Sequence, residues 1–173
     1  MTDERRPAPN EQAADHDQPS PGRQAGMKLQ PDSDLSSYKA AGKLSGKAAL
    51  VTGGDSGIGR AVAIAYAMEG ADVAIAFDKS DDDAAETARI VESKGRRCLK
   101  LKGDISRKAE CGWLVQETVG AFGRLDVLVN NAAVFEGGLT SEITDEVLER
   151  IFRVNVFAAT HLGQAALPHM EKA

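Results

Sequence analysis

Hydrophobic residues are scarce over the first 45 positions and then arrive in short, regularly spaced bursts. Four runs, 48–52, 72–77, 98–102 and 125–130, are rich in Val, Ile and Leu and end in turn residues, the signature of strands. The segments between them carry apolar residues at helical intervals instead. Over 58–68 these are Ile58, Val62, Ala65 and Tyr66. Ser80 is placed to cap a second helix whose first turn holds Asp81, Asp82 and Asp83. Carboxylates there suit the positive end of the helix dipole, so the triplet reads as a helix start and no metal site is expected. Ser106 is the expected cap of a third helix, with Cys111, Leu114, Val115, Val119 and Phe122 on one stripe and Trp113 just off it, as packing. The fourth and longest helix opens at Thr144, ahead of Asp145 and Glu146. Val147, Ile151, Val154, Ala158, Leu162 and Ala165 share its face, and Pro168 strains or ends it. Strands alternating with helices, joined by connections as short as Gly70-Ala71, predict an α/β chain with a doubly wound parallel sheet of about four strands.

The first 45 residues differ in kind. Pro7, Pro9, Pro19, Pro21 and Pro31 sit among Gln, Asp, Ser and Gly, and only Met27, Leu29, Leu35 and Tyr38 offer anchors. Such a segment buries too little apolar surface to offset its ordering entropy, so 1–45 reads as a flexible extension and 46–173 as the folded domain. The opening MTDERRPAPNEQ has no apolar core and is no secretory signal, and no apolar run is long enough to span a bilayer. A net charge of −5 gives no reason to expect nucleic acid or an anionic membrane as partner. Cys98 and Cys111 make no disulfide framework; both read as small buried hydrophobes in a reduced, cytoplasmic compartment.

The candidate chemistry begins where the first strand ends. Thr52-Gly53-Gly54-Asp55-Ser56-Gly57-Ile58-Gly59 lies between a strand and a helix. In an open α/β sheet, ligands bind beyond the carboxyl ends of the strands, where the strand order reverses. Glycine there permits unusual backbone torsions, lets a pyrophosphate reach the main chain, and lets the helix pack close to the strand. The N–H groups at the helix start then receive the phosphates. Gly59 is followed by Arg60-Ala61 rather than Lys-Ser/Thr, which excludes a Walker-type loop. The turn reads as a dinucleotide site.

The pattern Thr52-Gly53-x-x-x-Gly57-Ile58-Gly59 resembles that of the short-chain dehydrogenase/reductase family, and three later landmarks agree. Gly103-Asp104-Ile105 follows the third strand, where the resemblance implies that Asp104 and the backbone of Ile105 hold adenine. Asn130-Asn131-Ala132-Ala133 is similar to the family's N-N-A-G element, with alanine for the last glycine. Asn155, in Arg153-Val154-Asn155-Val156, resembles the helix asparagine of the family's catalytic tetrad. The tail, with its GKLSGK lead-in, is similar to the glucose/ribitol-dehydrogenase-like subgroup, also called general stress proteins. The resemblance covers 47–170 and implies a Rossmann-like, NAD(P)-binding domain. It also implies hydride transfer between nicotinamide and a small carbonyl or alcohol substrate.

By that resemblance the cofactor contacts are Thr52, Gly53, Ser56, Gly57, Ile58, Gly59, Phe77, Asp104, Ile105, Asn131 and Ala132, and the catalytic residue is Asn155. Phe77 closes the second strand, where an acidic residue usually marks NAD; Asp78 would repel a 2′-phosphate, whereas Lys79 and Arg60 could attract one. NAD and NADP both stay open. The family's Ser and Tyr-x-x-x-Lys have no match: Gly42 lies four residues beyond Tyr38, and Gly70 four beyond Tyr66. His161 and His169 read as solvated or interface histidines. The chain therefore resembles the first half of a family domain, truncated after about four strands and homo-oligomeric if stably folded. Its alternative function is that of a catalytically inactive dinucleotide-binding half-domain or fragment.

Overall fold

The computed structural model describes residue 35 and residues 37–136 and 139–170. Four strands, β1 (Ala48–Thr52), β2 (Asp72–Phe77), β3 (Cys98–Lys102) and β4 (Val127–Val129), form one parallel sheet in the order β3-β2-β1-β4. The first three coincide with their predicted spans, and β4 is shorter at both ends. Its flanks are tied to β1 outside the strand itself. Asp126 exchanges bonds with the Ala48 backbone, its N–H donating to the carbonyl at 2.9 Å and its carboxylate accepting from the N–H at 2.9 Å. Beyond Asn130 the chain bends, and the Asn131 and Ala132 N–H groups donate to Thr52 Oγ1 at 3.0 and 3.1 Å.

Helices cover both faces of the sheet, as the doubly wound reading requires. They are α1 (Gly57–Met68), α2 (Asp81–Ser93), α3 (Lys108–Phe122), α4 (Asp145–Phe152) and α5 (Ala158–Met170). Alternate residues of the strands point to opposite layers. Val51, Val73, Ile75 and Phe77 pack with Ile64 of α1 and Val91 of α2. Leu50, Ala74 and Ala76 pack on the other face with Leu114 and Val115 of α3 and Leu162 of α5. Burying a Leu or Ile side chain in such a layer contributes about 1.5–3 kcal/mol, so these two layers are what hold the sheet's ends in place.

Several local expectations shift. Ser106 does not cap α3; Arg107 occupies that position, because the Ser106 N–H is bound by Asp104 Oδ1 at 3.0 Å in a turn that delays the helix. Ser80 stands at the start of α2, but its hydroxyl makes no capping bond. Thr144 does cap α4, accepting from the Val147 N–H at 3.4 Å. Trp113, expected as packing, is 42% exposed.

The long fourth helix is not uniform. A π-helical segment, Arg153–Phe157, joins α4 to α5, and the Ala158 N–H reaches back five residues to the Arg153 carbonyl. The predicted face is kept through it: Ala158 and Leu162 are buried, Val154 and Ala165 pack against the same core, and Ala166 joins them. Pro168 lies inside α5 and does not end it.

Met27 and Leu29, the first two proposed anchors of the extension, lie outside the described residues. Leu35 packs against the α1–α2 layer, and the Tyr38 hydroxyl donates to the Glu69 carboxylate at the end of α1. The Ala41 and Lys43 N–H groups donate to that same carboxylate. Together they hold Glu69 below the usual carboxylate range, led by the Tyr38 bond.

Candidate functional site

Because β1 lies between β2 and β4, the connections leaving β1 and β4 diverge at its carboxyl end, and a cleft of about 920 Å³ opens there. All four strands contribute to its walls. Gly53, Asp55 and Ser56 come from the turn after β1, and Phe77 to Ser80 from the end of β2. Gly103 to Ser106 follow β3, and Asn131 to Glu136 follow β4.

The glycines of the turn are required by geometry. Gly53 has φ +64°, a left-handed conformation, and a Cβ there would sit 3.0 Å from Asn131 Nδ2. At Gly59 a Cβ would lie 2.0 Å from the Gly53 carbonyl oxygen, so α1 can pack this close only with glycine. Gly54, which the sequence motif passes over, is equally constrained, since its Cβ would meet Ile75 Cγ2 at 2.6 Å. Gly57 (φ +52°) opens the helix, and a Cβ there would meet nothing within 4 Å.

Of the predicted cofactor contacts, Gly53, Ser56, Phe77, Asp104, Ile105, Asn131 and Ala132 line the cleft. Thr52 does not. It is buried, and its hydroxyl donates to the Val129 carbonyl at 3.2 Å while accepting the Asn131 and Ala132 N–H groups. Asn131 completes this clip, its Nδ2 donating to the Thr52 and Gly53 carbonyls at 2.9 and 3.2 Å. Gly59 lies inside the turn, while Gly57 and Ile58 stand at the exposed start of α1, Ile58 with 77% of its surface in solvent. Phe77 keeps its ring in the α1–α2 layer and is only 7% exposed.

Asn155 lies in the π-helical segment and grips the loop after β4 at two points. Its Oδ1 accepts from the Val134 N–H and its Nδ2 donates to the Val134 carbonyl, both at 2.9 Å. Val134 lines the cleft, whereas Asn155 stands behind it. On the β3 side, the Asp104 carboxylate binds the Ser106 N–H and pairs with Arg107 at 3.4 Å, while Glu110 accepts the Asp104 N–H.

The sequence motif gives no hint of the group beneath the turn. Arg60 is 6% exposed, and its Nε and Nη2 donate to the Asp55 carbonyl at 3.0 and 2.6 Å. Nε also reaches Thr87 Oγ1 at 2.8 Å, and Nη2 pairs with the Asp83 carboxylate at 3.2 Å. Thr87 Oγ1 donates to the Asp55 carbonyl in turn, at 2.9 Å. Arg60 therefore bolts the glycine turn to α2 and is not displayed to a ligand. Asp55 lies over this network, and burial raises its carboxyl above the usual range. The two tyrosines stand elsewhere: Tyr38 is on Glu69, and Tyr66 packs in the α1–α2 layer. His169 Nε2 is 3.4 Å from Gln116 Nε2, and His161 is half-buried, its Nδ1 without a partner among the described residues.

Residues 47–173 match the model of the short chain dehydrogenase family. The chain is 42% identical over 164 residues to general stress protein 39 of Bacillus subtilis (strain 168), a match covering 94% of this chain and 57% of that protein. Its fold matches a short chain dehydrogenase from Burkholderia cenocepacia J2315, solved in complex with NADP, with a TM-score of 0.73 and 40% identity. That match covers 74% of this chain and 52% of the other. Carveol dehydrogenase from Mycobacterium avium, solved with NAD, matches with a TM-score of 0.70 and 29% identity, over 76% of this chain and 52% of its own. The chain thus spans about half the length of the relatives it matches. Among the described residues, no helix is long and apolar enough to cross a membrane.

Proposed function

The chain belongs to the short chain dehydrogenase family, and from that premise we propose that its cleft holds a nicotinamide dinucleotide in an NAD(P)-dependent oxidoreductase acting on a small carbonyl or alcohol substrate. One observation carries this reading: residues from the ends of all four strands meet around one cleft at the point where the strand order reverses. The glycine turn fits a pyrophosphate, because Gly53 and Gly59 let strand and helix approach to contact and α1 begins directly at the turn.

In this reading Gly53, Ser56, Gly57, Ile58 and Gly59 present main-chain groups at the helix start to the phosphates. Asn131 acts one step back, fixing the Thr52 and Gly53 carbonyls, and the Thr52 hydroxyl in turn holds the Asn131 N–H. Asp104 and Ile105 form the adenine wall, Phe77 the floor beside the ribose, and Ala132 the wall beyond. The dinucleotide, when bound, carries the hydride. Asn155 holds the Val134 backbone, and with it the loop that faces the reacting end, in one position. It is a positioning residue in the family's catalytic set.

A second reading, dinucleotide binding without turnover by these 173 residues, is favoured by the placement of Tyr38 and Tyr66 away from the cleft. The proposal also divides the chain near residue 45 and places it in a reducing cytoplasm, in keeping with two unpaired thiols. It includes assembly with like subunits through the helical face that exposes Phe152, Val156 and Phe157.

Calorimetric titration of the folded protein with NAD+ and NADP+ tests the proposal. Saturable binding of either supports it, and a folded protein that takes up neither refutes it. Oxidation of NADH or NADPH with carbonyl substrates separates the two readings, since sustained turnover excludes the second.

A further inference from the structure

Glu69 sits where a carboxylate is least favoured. It caps the carboxyl end of α1, the negative end of the helix dipole, and is only 4% exposed. The bonds that offset its burial come from the segment leading into β1. The Tyr38 hydroxyl donates to the carboxylate, as do the Ala41 N–H at 3.2 Å and the Lys43 N–H at 2.7 Å. The carbonyls beside it are taken by the same segment, the Leu44 N–H donating to Glu69 at 3.0 Å and the Gly46 N–H to Gly70 at 3.3 Å. Gly70 has φ +98°, and a Cβ there would stand 3.0 Å from Ser45 Cα, so glycine lets the two chains meet. Glu69 thus serves as a receptor for 37–46 and gains nothing from its place on α1.

The segment that fills this receptor buries little. Residues 37–43 and 45–46 are exposed, Leu44 is half-buried, and Leu35 ties the start to the α1–α2 layer. Lifting 37–46 bares a carboxylate and N–H groups that water solvates, with little core surface lost. The docked and open states therefore differ by a few polar bonds, and a local change of charge is enough to exchange them.

We infer that residues 37–46 form a releasable strap and that Tyr38 is its release point, a site where phosphorylation opens the strap. The side chain is 38% exposed, so the strap presents it at the surface while its hydroxyl holds Glu69. Phosphoryl transfer from a nucleoside triphosphate replaces the hydroxyl proton and releases the nucleoside diphosphate and that proton. It leaves about two negative charges against the Glu69 carboxylate. A neutral donor's bond to a carboxylate is worth roughly a ten- to hundredfold shift in the docked population, and the repulsion adds to its loss. The strap lies at the amino end of the sheet, opposite the cleft, and its release does not depend on the dinucleotide reading.

Hydrogen exchange of the whole chain reads the strap through the Ala41, Lys43, Leu44 and Gly46 amides, which should be protected in the parent. Tyr38→Phe removes the bond without adding charge and should speed their exchange by about tenfold. Tyr38→Glu should speed it at least tenfold further, and the β1–β3 amides should be unchanged in both variants. The parent treated with a broad-specificity tyrosine kinase and ATP should be modified at Tyr38 and exchange at least as fast as Tyr38→Glu. Strap amides unprotected in the parent overturn the inference, as do strap and core amides that accelerate together. A Tyr38→Glu chain that exchanges no faster than Tyr38→Phe overturns charge as the release, and a folded chain left unmodified at Tyr38 by the kinase overturns the site.

Discussion

Replacing Arg60 with methionine is the sharpest test of how the cleft is held open. The substitution keeps much of the side-chain volume and removes the charge and every donor. Asp83, whose side chain is 7% exposed, then keeps a buried carboxylate with no cation beside it, and the Asp55 carbonyl loses its two shortest partners from Arg60. Breaking a buried pair from one side costs about 3–5 kcal/mol. Two features return part of this. Asp83 stands in the first turn of α2, where the helix dipole is worth about 0.3–1 kcal/mol, and Thr87 still donates to the Asp55 carbonyl. The net loss is therefore about 2–4 kcal/mol, a large share of the roughly 5–15 kcal/mol that holds a typical domain folded. Urea unfolding followed by far-ultraviolet circular dichroism reads this directly. With a slope of about 2 kcal/mol per molar, the midpoint should fall by about 1–2 M. Adding Asp83→Leu to the methionine variant should recover at least half of the loss, because both buried charges are then gone. A methionine variant within about 1 kcal/mol of the parent, or a double variant as unstable as the sum of the single ones, would refute the reasoning.

Four further outcomes are expected. Gly59→Ala places a methyl 2.0 Å from the Gly53 carbonyl, so it should cost about 3 kcal/mol or more and abolish nucleotide binding in whatever folds, as read by melting and calorimetry. The bonds from Arg124, the Ala48 N–H and Lys47 lower the Asp126 pKa to about 2, so its stabilisation is complete above about pH 4 and is lost as pH falls toward 2. Asp126→Asn should therefore destabilise by about 2 kcal/mol at pH 7, and the gap to the parent in urea titrations should close near pH 2. Burial pushes the Cys98 thiol up to about 12, so at pH 8 a thiol reagent should label it only as fast as the protein opens. Asn155→Asp retains the acceptor for the Val134 N–H but loses the donor to its carbonyl, so hydrogen exchange at Val134 should rise by about tenfold.

What the sequence reveals and what it hides divide along physical lines. The first three strands and the starts of α1, α2 and α4 follow from local patterns, because side-chain period and turn chemistry act within a few residues. The cleft-lining landmarks are legible for the same reason: Gly53, Asp104 and Asn131 each lie within two residues of a strand's end. The role of Arg60 is not legible. Its partner Asp83 lies 23 positions away, and a charge pattern alone cannot distinguish a displayed arginine from a buried one. Ser106 shows a different failure, since the Asp104 carboxylate captures its N–H and a local turn displaces the expected cap. The π-helical segment of the fourth helix is hidden for another reason: the apolar positions Val154, Ala158 and Leu162 keep ordinary helical spacing across it, so no apolar position announces it.

Along the fourth helix Val154, within the π-helical segment, and Ala158, Leu162 and Ala166 beyond it pack toward the core, while the exposed Asn155 turns its amide to the Val134 backbone. The two sides of the cleft are consequently fixed by unlike means. The turn after β1 is bound to α2 by a buried ion pair and several hydrogen bonds, which open only when the α1–α2 layer parts. The loop after β4 is held at Val134 by one exposed side chain, whose bonds compete with water. A ligand therefore meets a rigid wall at the turn after β1 and a more yielding wall on the β4 side. That order suits the dinucleotide reading proposed above, in which the carrier is held fast and the substrate side adjusts.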